Sequence, residues 1–247
     1  MITKTELDKL VKEYETIEFI KQDPIQIPHR YIDKKEIELV GFISALFAYG
    51  SRKVFIPKLD FLFSQMGNSP VEYLKKGDFM NLQGFNYRFG RWDDINNILR
   101  ILSLLYQNGS TIRKLFEYGY KATGTIYGML QVVSDYFYSN CDDSVGDGFY
   151  FMMANPQKGG AMKRMNMYLR WMVRSSPVDF GIWHFISSSE LLIHLDTHVA
   201  KISREMGLLD RNDNGRKSVE ELTEKLKEFD KNDPVKYDFA IYGKGIS

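Results

Sequence analysis

One cysteine in 247 residues, Cys141, is the sharpest deficit of the chain. A lone thiol excludes an intrachain disulfide framework and any zinc or iron–sulfur centre held by several cysteines. It lies in the polar run Ser-Asn-Cys-Asp-Asp with no base beside it, so it reads as incidental rather than as a nucleophile. Strand signals are as scarce: residues 24–28 and 191–195 form short apolar runs, too few for a sheet. No window reaches the roughly 20 apolar residues of a membrane span. The first ten residues mix charged with apolar side chains and form no signal-peptide core. The expectation is a cytoplasmic protein with no membrane partner. An excess of one charge is missing too, since 33 basic residues face 32 acidic ones. A nucleic-acid surface therefore has to come from local concentration of charge. Internal repeats and low-complexity tracts are absent.

What is present is helical periodicity almost throughout. The pattern predicts helices over 5–14, 33–49, 52–65 (interrupted near Pro57), 93–106, 110–118 and 123–138. After a loop at 139–148 it predicts further helices at 162–173, 197–206 and 218–229. Asp33 and Asp196 stand where helix caps are wanted, and Asn108-Gly109 reads as a helix end. The 33–49 helix turns almost wholly apolar and is expected at the centre of the fold. The predicted class is all-α and two-lobed. A central lobe covers about 34–140, and 1–33 joins 141–247 in the other.

Two segments carry chemistry. From Lys158 to Arg174 there are five basic residues (Lys158, Lys163, Arg164, Arg170, Arg174) and no acid. Gly159-Gly160 opens a helix there, which turns backbone N–H groups and the positive end of a helix dipole toward a phosphate. Composition alone fits a solvated basic face as well. The second segment is His194-Leu-Asp196-Thr-His198, with Asp196 as a helix cap. His194, Asp196 and His198 alternate, which converges on a metal only in a strand; with a helix starting at Asp196 they diverge, and no metal site is expected.

Taken together, Gly159-Gly-Ala-Met-Lys163-Arg-Met-Asn166 and Leu195-Asp-Thr-His198 resemble the active-site signature of the helix-hairpin-helix (HhH-GPD) base-excision DNA glycosylase superfamily. The stretches Arg170-Trp-Met-Val-Arg174 and Leu195-Asp-Thr-His198 also resemble a bacterial family placed within it. Ala161 replaces a hairpin glycine. Lys163 and Asp196 stand 33 residues apart, an interval similar to that of the archaeal GO (8-oxoguanine) glycosylases rather than endonuclease III.

The resemblance implies a bifunctional N-glycosylase/AP lyase on damaged double-stranded DNA, with an oxidised purine such as 8-oxoguanine as substrate. Lys163 would be the attacking amine and Asp196 its carboxylate partner. Gly159, Gly160, Arg164, Arg170, Arg174 and His198 would hold the DNA, and Tyr49, Arg52, Lys53 and Lys58 the opposite strand. Trp171 and Trp183 would stack on the flipped base, although a tryptophan is as readily a core residue. The resemblance implies no cofactor, admits a monovalent cation at the hairpin, and suggests a nucleoid-associated monomer. Other readings stay open: Lys158 as the reactive amine, a non-catalytic DNA-binding protein, or a scaffold using the charged 218–229 helix.

Overall fold

The computed structural model describes residues 2–246, of Ile246 the backbone alone. Thirteen α-helices follow one another among these residues: α1 (Lys4–Tyr14), α2 (Ile17–Ile20), α3 (Lys34–Phe47), α4 (Arg52–Met66), α5 (Pro70–Lys76), α6 (Trp92–Gln107), α7 (Ile112–Thr123), α8 (Ile126–Asn140), α9 (Asp147–Met152), α10 (Lys163–Val173), α11 (Thr197–Glu205), α12 (Arg216–Lys227) and α13 (Asp238–Ile246). Extended pairing is confined to three isolated bridges. The fold is all-α. Among the described residues no helix is long and apolar enough to cross a membrane.

The helices begin where side chains can satisfy the free N–H groups of a first turn. Thr3 caps α1 with a reciprocal bond from Glu6, Asp33 caps α3, and Thr111 and Thr125 cap α7 and α8. Gly124, in a left-handed conformation (φ +66°), ends α7. α2, α5, α9 and α13 lie outside the predicted helices. The first three are at most seven residues long, too short for a repeating pattern.

The chain forms two compact units: Pro24–Pro156, and the residues up to Asp23 together with those from Gln157 onward. Both ends of the central unit lie beyond the 34–140 span marked by the sequence pattern. The turns at 24–30 pack on α3 and bury Ile25 and Ile27. Segment 141–156 is tied back by Asn97–Asp142 bonds at 3.1 Å and by Ser134 and Tyr138 hydroxyls donating to Ala154 and Met153 carbonyls. α3 forms the centre of this unit, buried from Glu36 to Phe47, with Phe42 against Phe116 and Phe137.

In the other unit α1 and α11 pack on α13, and α12 packs on the 234–237 turn. Leu7, Val11, Ile193, Leu195, Val199, Leu222 and Ile241 are among its core residues. Gly243 lets α13 approach α1: a Cβ there would run into the Tyr14 ring.

Candidate functional site

Two helix beginnings in the discontinuous unit make the site. Gly159 takes a left-handed backbone (φ +72°), as does Met162 (φ +50°), a conformation uncommon for a residue with a Cβ. Gly160 bridges to Gly215, and the Gly159 carbonyl accepts the Arg216 N–H at 2.8 Å, so the turn is joined to the start of α12. Asn166 closes the turn from the helix side by donating from Nδ2 to the Ala161 carbonyl at 3.1 Å. This reversal delivers Lys163 as the first residue of α10.

Asp196 arrives from the other direction as the N-cap of α11. Its Oδ1 accepts the Val199 N–H at 2.8 Å, while Oδ2 lies 2.9 Å from Lys163 Nζ. The Lys163 and Asp196 side chains are 33% and 34% exposed, half-sunk yet reachable from solvent. Burial works against the charged carboxylate. Lys163 and the Val199 N–H outweigh it and hold Asp196 below its ordinary value.

Behind the pair runs a buried chain of charges. His194 Nε2 lies 3.3 Å from Asp238 Oδ1, and Asp238 Oδ2 accepts from Arg170 at 2.7 Å. Arg170 also reaches Asp179 at 3.2 Å. Arg174, one turn on, binds Asp179, Asp233 and Glu15. The ring of Phe239 lies 4.7 Å from the Arg170 guanidinium and 5.6 Å from that of Arg174. Burial pushes the Asp238 carboxyl up to about 6 against the pull of Arg170. Burial, with Arg170 and Lys163 adding to it, drives His194 well below its ordinary value, so the imidazole is neutral at pH 7. Two buried atoms beside the pair have no hydrogen-bond partner in the protein, His194 Nδ1 and Asn166 Oδ1.

Several expectations need correcting. Arg170 and Arg174 are not surface cations for a phosphate. Both are buried, their guanidiniums saturated by carboxylates. Trp171 and Trp183 are 0% and 1% exposed, the latter packed on Tyr168 and Phe185, so neither offers a face to a base. Tyr49, in the central unit, donates its hydroxyl to the Tyr87 carbonyl and packs between Phe89 and Phe151. That hydroxyl is anchored and the ring is held from two sides, so Tyr49 is poorly placed to fill a gap in a duplex.

Arg52 and Lys53 start α4 on the surface. Arg164 follows Lys163 in the first turn of α10, Lys158 is exposed before the turn, and His198 lies on α11 against Gly245. No group of three or more His, Cys, Asp or Glu able to hold a metal occurs among the described residues.

The residues that the sequence reading passed over are the acids: Glu15, Asp179, Asp233 and Asp238. A signal existed. Arg170 and Arg174 stand one turn apart and flank the apolar run Trp171–Val173 at the end of α10, and buried arginines require carboxylate partners.

A family model described as "Protein of unknown function (DUF2400)" matches residues 23–247. No curated protein matches the chain, and no solved structure does. This match spans nearly the whole chain and is to a family distinct from the glycosylase superfamily that two short motifs suggested. The resemblance to that superfamily and its GO branch is therefore withdrawn, and with it the oxidised purine that rested on it.

Proposed function

The chain belongs to the DUF2400 family, and from the site itself we propose that it is a DNA lyase with N-glycosylase activity, acting through an amine on a damaged or base-lost nucleotide. The observation that carries this reading is the Lys163–Asp196 pair, 2.9 Å apart and one-third exposed, set at the starts of two different helices. An amine paired with one fixed carboxylate is the equipment for attack on a sugar carbon at the aldehyde level of oxidation. The first turn of α10 adds backbone N–H groups and Arg164, and Lys158 precedes it, all suited to an adjoining phosphate.

The steps follow from the pair. Lys163 must give up a proton before it attacks, and Asp196 Oδ2 is the base in contact with it. The amine lone pair forms a bond to C1′ as the bond to the base, or to oxygen in an abasic sugar, breaks; the leaving group takes a proton. The added nitrogen then passes a proton to O4′ as the C1′–O4′ bond breaks, and the iminium left by this ring opening draws electrons away from C2′. Loss of the C2′ proton then forms the C2′–C3′ double bond and expels the 3′ phosphate. Having passed the Lys163 proton on to the leaving group, Asp196 is a carboxylate again and opposes positive charge on the sugar, oriented by the Val199 N–H. Lys158 is the weaker candidate because Asp196 pairs with Lys163. The scaffold reading loses ground as well, since most of the charges of residues 216–228 are taken up in the local pairs Arg216–Glu220, Lys225–Glu228 and Lys227–Glu224.

Borohydride trapping on duplex DNA bearing an abasic site tests the reading. Wild type and Lys158→Ala should form a covalent adduct, Lys163→Ala none, and Asp196→Asn an adduct slowed by about 100-fold, the scale of a positioned proton acceptor. No adduct with wild type, or an equal one with Lys163→Ala, overturns it.

A further inference from the structure

We propose that the central unit carries a second nucleic-acid site, a cleft between α4 and the 81–85 turn that takes one unpaired nucleobase with its phosphate. The choice of occupant rests on the DNA reading above; the geometry of the cleft does not. The cleft encloses about 470 Å³, within the range of small-ligand sites. Val54, Pro57 and Phe61 line it from α4, and Leu82 and Phe85 from the turn.

Its aromatic surface is laid out for stacking. The Phe61 and Phe85 rings are within 16° of parallel, with centroids 5.8 Å apart. Phe85 is buried and backs Phe61, which is 47% exposed, and Val54 beside them is 51% exposed. Exposed large apolar side chains gathered on one cleft mark a binding surface better than the same residues scattered singly.

The polar groups at the cleft suit the rest of a nucleotide. Lys58 sets Nζ 5.4 Å from the Phe85 ring centroid. No carboxylate pairs with it among the described residues; Asp60, the acid of α4, is taken by Arg30 at 2.7 Å. Lys58 is thus a half-exposed cation at the cleft without a carboxylate partner among the described residues, open to a phosphate. Gln83 lines the cleft with an exposed carboxamide that offers a donor and an acceptor to a base edge. Asn81, also at the rim, is already committed to Tyr73 and Gln65. An acyl chain or an apolar peptide side chain would use the rings and leave Lys58 and Gln83 idle. A base stacks on any aromatic face regardless of its identity, so the cleft should bind single strands with little sequence preference.

The test is fluorescence anisotropy of the full chain with a labelled, undamaged single-stranded oligothymidylate over a range of salt. Wild type should bind. Phe61→Ala should weaken binding about tenfold and Phe61→Trp should preserve it. Lys58→Ala should weaken it and lower the slope of log K against log salt by about one. Circular dichroism of each variant checks the fold, which the exposure of Phe61 should spare.

Absence of binding by wild type, or equal binding by Phe61→Ala and Lys58→Ala, overturns the cleft. Weaker binding by Phe61→Ala with an unchanged slope for Lys58→Ala overturns the assignment of the phosphate to Lys58. Loss of borohydride trapping with these effects intact would count against the lyase alone. Trapping at Lys163 without them would count against the cleft alone.

Discussion

His194 stands two residues before Asp196 with one ring nitrogen engaged and one unpartnered. Nε2 faces Asp238, whose other oxygen is bound by Arg170, so the imidazole's orientation is fixed from α10 and α13 together. Four charged groups act on it: Arg170 and Lys163 from α10, Asp238 from α13 and Asp196 on its own segment. Its folded value lies well below the unfolded 6.5, so unfolding takes up a proton as the pH falls through 6.5. Neutral His194 thus contributes stability above about pH 6.5 and loses it on acidification. Asp238 has the opposite sign. Its folded value near 6 lies above the unfolded 3.8, so its contribution is present below 3.8 and lost as the pH rises through 6. On acidification from pH 7.5 to 5.5, the melting temperature of wild type should fall relative to His194→Asn, which removes the first contribution and leaves an amide for Asp238. Parallel melting curves for the two proteins would show that His194 does not titrate as its burial demands.

Among elements, the long helices and their caps were readable because their pattern repeats over three turns or more. Asp33 and Asp196 are caps by residue type alone, and the structure uses both. α13 escaped notice for a specific reason: Gly243 and Gly245 are poor helix formers, and no polar face alternates with an apolar one in Asp238–Ile246. Those glycines answer to neighbours rather than to the helix. A methyl at Gly243 would penetrate the Tyr14 ring on α1, so Gly243→Ala should destabilise by about 1–3 kcal/mol despite the better helix propensity of alanine. Chemical denaturation measures this, and a stabilised variant would mean that α1 yields freely.

The same contrast explains the site. Lys163 and Asp196 were legible because each stands at a turn signal. The acids behind them were not, because Glu15, Asp179, Asp233 and Asp238 sit far apart in the chain and only the tertiary packing brings them to Arg170 and Arg174. The tryptophans were misjudged because a large side chain, on a helix as Trp171 or in an irregular segment as Trp183, gives no sign in sequence of whether its outer face is covered.

At the scale of the molecule, α1 lies outside the residues matched by the family model, yet it places Leu7 and Val11 in the core and hands on to Glu15, which binds Arg174. Removal of residues 2–15 deletes two buried side chains and leaves a buried guanidinium short of a partner. The cost should be about 5 kcal/mol or more, comparable to the whole stability of many domains. Hydrogen exchange should then show protection lost across 157–246 and retained in α3, α6, α7 and α8. Unchanged protection in 157–246 would make α1 an appendage.

The interleaving of the two units also has a consequence in time. Residues up to Asp23 are synthesised before the whole central unit, but the partners they pack on begin only at Gln157. At ordinary elongation rates of about 5–20 residues per second, the amphipathic first helix waits on the order of ten seconds with Leu7 and Val11 uncovered, while the whole central unit is synthesised. While it waits, that helix offers a chaperone an apolar foothold, and the Lys163–Asp196 pair comes into being only after the central unit has been made.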